Sequence, residues 1–149
     1  MTGIKAVSHV AVGVRSMERS LPFYRDVLGL PVVADQEESF GDFGGRRHAV
    51  YLRWGDEADA SFVVLDEQLE RPQHGEPSEI FSIGVHHYGF WVDDVEAIAA
   101  RARAAGVDLM VEPSVGDTWL YGEPAGGKVK VAFLRDPDGN VVQLDERMT

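Results

Sequence analysis

The apolar positions along the chain fall into two different periods that alternate, and then the whole arrangement recurs. From His9 to Val14 the period is two: Val10, Val12 and Val14 fall on one face, His9, Ala11 and Gly13 on the other. The valine face is suited to packing under a helix, and the opposite face carries one imidazole among small residues. The period then changes to that of a helix, with Met17, Leu21, Tyr24 and Leu28 on one side, Ser16 as a candidate N-cap and Gly29 as the stop. Pro22 falls inside this stretch and predicts an irregular turn. Strands are predicted at about 47–54 and 60–65, joined by a polar turn at 55–59.

The second half repeats the order. A strand over 86–92 leads through Asp93 and Asp94 into a helix with Val95, Ile98, Ala99 and Ala102 on one face, ended by Gly106. Strands are expected near 109–112 and 129–134, then the turn Asp136-Pro137-Asp138-Gly139 and a last strand over 140–145. That strand places Val142 and Leu144 on one face and Val141, Gln143 and Asp145 on the other. The intervening stretch, with Pro72, Gly75 and Pro77, reads as a linker. His9 and His87 open equivalent strands, and their separation exceeds the period of common solenoids, so the repeating unit is a half-domain.

Composition narrows the function classes. A chain of 149 residues fits one domain with a sizeable core, and the absence of cysteine excludes disulfides, iron–sulfur clusters and thiolate metal sites. The formal net charge of -11 disfavours nucleic acid and anionic membranes as partners. No stretch has the length and apolarity of a membrane span, so a soluble, cytoplasmic protein is the expectation.

Four segments carry a family resemblance: the first strand with His9, FYRDVLGL at 23–30, HHYGFWVDD at 86–94, and FLRDPDGNVVQL at 133–144. Together they resemble the vicinal oxygen chelate superfamily, which takes in glyoxalases, bleomycin-resistance proteins and extradiol dioxygenases. The resemblance implies an α+β fold of two tandem βαβββ modules forming a cupped mixed sheet around a central cavity. It places module 1 at about 1–68, the linker at about 69–82 and module 2 at about 83–149, within one domain. It also implies a homodimer.

The same resemblance assigns metal-ligand positions to His9, His87 and Gln143, and puts Val63 where a fourth ligand stands in other members. Valine cannot coordinate a metal, and glutamine supplies an oxygen without charge, so a divalent ion (Fe, Mn, Zn or Ni) is expected to bind more weakly than at a glutamate site. His86 is read as a structural neighbour or hydrogen-bond partner of His87. Trp91, Trp119 and Val63 are the candidate substrate-binding residues, and Tyr121, in the loop 115–127, is the candidate catalytic residue, as proton donor or hydrogen-bond partner. Two functions compete. One is a metal-dependent lyase, isomerase or dioxygenase acting on a substrate with adjacent oxygens. The other is a metal-free protein that sequesters an aromatic natural product or drug.

Overall fold

A computed structural model describes residues 3–149, apart from the Phe43 side chain, and divides the chain into two compact units that meet in sequence at Gly75 and Glu76. The first contains β1 (His9–Gly13), α1 (Met17–Pro22), β2 (Val32–Ser39), the short α2 (Gly41–Gly44), β3 (Arg46–Arg53) and β4 (Phe62–Gln68). The second contains β5 (Tyr88–Trp91), α3 (Val95–Ala104), β6 (Leu109–Asp117), β7 (Lys128–Arg135) and β8 (Val141–Met148).

Each unit has its own four-stranded sheet, ordered β1-β4-β3-β2 in one and β5-β8-β7-β6 in the other. The first strand pairs in parallel with the last, and the other pairs are antiparallel. Both sheets are therefore mixed, and the repeat in the sequence is a repeat in topology. In register, Ala11 pairs with Val64 and Gly13 with Asp66 in the first unit, as Gly89 pairs with Gln143 and Trp91 with Asp145 in the second.

The valine face of β1 is buried as its alternation predicts, with Val12 and Val14 covered together with Met17, Phe23, Tyr24 and Val27. In the second unit Val95, Ile98, Ala99 and Ala102 of α3 are buried, as are Ala132, Leu134, Val142 and Leu144 on one face of the sheet. The irregularity expected at Pro22 is a π-turn over Phe23–Val27, which ends as Gly29 takes a φ of 82°.

One device recurs at the two helix starts. Met17 donates its backbone N–H to Glu67 Oε2 of β4 at 2.9 Å, and Val95 donates to Glu146 Oε2 of β8 at 2.9 Å. A free helical N–H is thus satisfied by a carboxylate from the last strand of the same unit, which suits the positive end of the helix. Asp94 caps α3 as expected by accepting from Ala97 N, whereas Ser16 makes no side-chain cap bond at α1.

Several boundaries differ from the sequence reading. β2 was not anticipated, because its run Val32–Ser39 contains a single polar block, Asp35 to Ser39, that hides the alternation. β5 starts at Tyr88, so His86 and His87 precede the strand. The segment read as a loop over 115–127 begins as the end of β6, whose Gly116 pairs with Val129, and continues as a 3-10 turn over Thr118–Tyr121.

Candidate functional site

In the second unit, β5 and β8 bring a polar cluster together on one sheet face. Strand alternation puts Gly89 and Trp91 on the same side, the parallel pairing sets Gln143 beside Gly89 and Asp145 beside Trp91, and His87, just before the strand, is within reach of Gln143. Asp145 is 7% exposed, one of the few buried charged side chains in the described residues. A buried carboxylate requires hydrogen-bond donors, and here Tyr121 Oη donates to its Oδ1 at 2.6 Å and Gln143 Nε2 donates to the same oxygen at 2.7 Å. Gln143 Nε2 also lies 3.4 Å from the Tyr121 oxygen. An added Cβ on Gly89 would stand 3.0 Å from Asp145 Oδ2, so a side chain here would press the carboxylate from its place by a few tenths of an ångström.

The cluster fixes the chemistry of its members. An ionised carboxylate only accepts, so the Gln143 amide gives its nitrogen to Asp145, and its carbonyl oxygen is the atom left to meet His87 or another partner. Burial is the main cause holding the His87 imidazole below the ordinary histidine value, and the neighbouring His86 adds to it, while the Asp145 charge and a hydrogen bond with Gln143 pull the other way. The two Nδ1 atoms of His86 and His87 are 2.8 Å apart, so one ring donates and the other accepts. This is the partnership expected for His86.

Tyr121 is held by a turn with its own hydrogen bonds. Asp117 accepts from Trp119 N and Gly126 N, Thr118 Oγ1 donates to Pro124 O, and Gly122 ends the turn in the left-handed region at φ 73°. Burial, reinforced by the bond to Asp145, raises the Tyr121 pKa far above the normal phenol value. This alters the role read from sequence: the phenol keeps its proton, aimed at Asp145, and is a poor relay near neutral pH.

The aromatic wall is smaller than expected. Trp91 and Tyr121 lie 5.4 Å apart by ring centres, and the Arg147 guanidinium sits 4.5 Å over the Trp91 ring while pairing with Glu123. Trp119 is 60% exposed, and no ring of the described residues stacks on it.

In the first unit His9 stacks on Phe62 at 5.0 Å and its Nδ1 is 2.9 Å from Ser8 Oγ. The registers correct one assignment. The counterpart of Gln143 is Val64, not Val63; Val63 corresponds to Val142 and is fully buried in the core of its own unit. Strand pairing decides this, since Val64 lies beside Ala11 as Gln143 lies beside Gly89. Either residue is apolar, so the first unit has no oxygen ligand at this place.

The sequence reading missed Asp145 as a site residue. Its signal was present: it lies two positions beyond Gln143 and therefore on the same strand face. Within either unit, no three His, Asp or Glu side chains of the described residues are grouped so as to hold a metal.

The family model for the glyoxalase/bleomycin resistance protein/dioxygenase superfamily matches residues 6–144. A probable chloroplastic lactoylglutathione lyase of Arabidopsis thaliana is 30% identical over 142 residues, which cover 93% of this chain but 35% of that protein, so the chain spans about a third of this relative. A lactoylglutathione lyase of Haemophilus influenzae is 26% identical, with 94% of this chain and 91% of that protein covered. Among solved structures, a glyoxalase family protein from Bacillus cereus superposes with a TM-score of 0.74 at 16% identity, covering 100% of this chain and 99% of that one. The match over nearly the whole length, on two units of repeated mixed-sheet topology, makes the chain a member of the glyoxalase/bleomycin resistance protein/dioxygenase superfamily.

Proposed function

We propose that the chain is a glyoxalase-type enzyme acting on a small molecule with two adjacent oxygens, and that His87 and Gln143 of the second unit are donors for a divalent metal. The observation that carries this reading is the preparation of two donors in the second unit. His87 is kept toward its neutral form, as a ligand nitrogen must be, and Asp145 takes the amide nitrogen of Gln143, which leaves the carbonyl oxygen as the atom able to coordinate. Both donors are neutral, so the set fits a metal with less affinity than a carboxylate-containing one. The lactoylglutathione lyase names of the relatives support the enzyme class.

When bound, a divalent metal would supply Lewis-acid polarisation of a substrate oxygen. The chain's own residues have distinct tasks. Asp145 fixes the amide, His86 sets which nitrogen of His87 carries the proton, and Tyr121 with Trp91 offers a tilted pair of rings whose phenol oxygen accepts a hydrogen bond. Elemental analysis of protein purified without chelator, followed by calorimetric metal titration and a lactoylglutathione lyase assay, tests the reading. We expect metal uptake, and turnover that is lost with chelator and in His87→Ala. Absence of uptake at any divalent ion would overturn it.

A second reading, a metal-free binder of an aromatic ligand, is favoured by the Trp91–Tyr121 pair under Arg147. It is the better account if an aromatic ligand quenches tryptophan fluorescence in chelator and restored metal yields no product.

A further inference from the structure

Asp66 and Asp145 occupy the same place in their units, each paired with a residue of the first strand, but the partner differs. It is Trp91 in the second unit and Gly13 in the first. Where the indole covers the sheet in one unit, a cavity of about 360 Å³ remains in the other. A Cβ built on Gly13 would meet nothing within 4 Å, so the space beside it is open.

The cavity wall is built from β3, β4 and the chain that follows β4. Arg47 donates to Glu38 Oε2 at 2.7 Å and pairs with Asp66, and its guanidinium lies 4.2 Å from the centre of the half-exposed Phe40 ring. This network ties β3 to β4 beneath the cavity. Arg71 and His74 stand at the rim, and neither has a hydrogen-bond or ion-pair partner among the described residues. The charge of the lining is opposite to that of the protein. In a chain of net charge -11, the Arg47 guanidinium is shared by the Asp66 and Glu38 carboxylates, and the charge left uncompensated in the lining is the Arg71 guanidinium.

We infer that this cavity of the first unit is a binding site for a small aromatic carboxylate, separate from the donor set proposed above. The unpartnered Arg71 takes the carboxylate through charge-assisted hydrogen bonds, and the ring lies against Phe40 in the space Gly13 leaves free. The volume lies at the low end of ligand pockets, roughly 300–1,000 Å³, which suits one or two fused rings.

Isothermal titration with 1-naphthoate and its neutral analogue 1-naphthamide tests the inference. Naphthoate should bind, naphthamide should bind about tenfold more weakly, and Arg71→Gln, at the exposed rim, should remove that preference. Gly13→Leu should fill the space and abolish binding with an unchanged circular dichroism spectrum, while His87→Ala should leave naphthoate affinity intact. Should Gly13→Leu fail to fold, the amide comparison and Arg71→Gln decide. No naphthoate binding at millimolar concentration, equal affinity for the amide, or loss of binding only in His87→Ala would each overturn the proposal. The last result would move the ligand to the second unit without affecting the metal reading.

Discussion

Asp145 organises its neighbourhood because a carboxylate with little water must be met by donors, and each donor is thereby given one orientation. Gln143→Glu changes both consequences at once. The new carboxylate would stand beside Asp145, so unliganded stability should fall by about 1–2 kcal/mol in urea unfolding, and divalent-metal affinity should rise in calorimetric titration. A variant with unchanged metal uptake would count against His87 and Gln143 as ligands. The protonation states have their own signs. His87 has a folded pKa below its unfolded value, so its contribution to stability is present above about pH 6.5 and is lost as pH falls through the folded value. Tyr121 is raised, so its contribution is present below about pH 10 and is lost as pH climbs beyond. Imidazole shifts in an NMR titration should place the His87 midpoint under that of a model histidine. Absorbance titration should lose a late-ionising component in Tyr121→Phe relative to the parent protein.

At the level of elements, the motifs most legible in the sequence prove to be structural. The Asp136 carboxylate of the DPDGN turn accepts from Asp138 N, Asn140 N and the Asn140 side chain, and Gly139 takes φ 96°. The FYRDVLGL stretch forms the π-turn, closed by Leu30 N donating to Tyr24 O. Helix faces and the β1 alternation were readable because burial is one-sided there. β2 was not, since its side chains are mostly exposed and polar. The clamps made by Glu67 and Glu146 were equally hidden, as they join residues about fifty positions apart. Glu146→Ala removes a partner from the first N–H of α3 and should cost about 1 kcal/mol in urea unfolding, without changing the slope of the transition. If stability is unchanged, the contact with Val95 N does not hold the helix start.

For the whole molecule, the repeat was the most informative property of the sequence, because duplication makes strand pairing, helix placement and clamp recur together. What it could not reveal was divergence within the repeat. Trp91 against Gly13, and Gln143 against Val64, emerge only from register. At this scale we expect chelator to leave the unfolding transition of the metal-free protein unaltered and to lower that of protein loaded with metal, by an amount that follows the measured affinity. A transition equal in both would mean that the folded chain gains nothing from the ion. The register of the two units also supplies this chain with an internal control. Val64 lies beside Ala11 as Gln143 lies beside Gly89, on strands of the same direction and order. A chemical change made at 143 can therefore be calibrated against the same change made at 64, where the backbone setting is matched and only the surrounding chemistry differs.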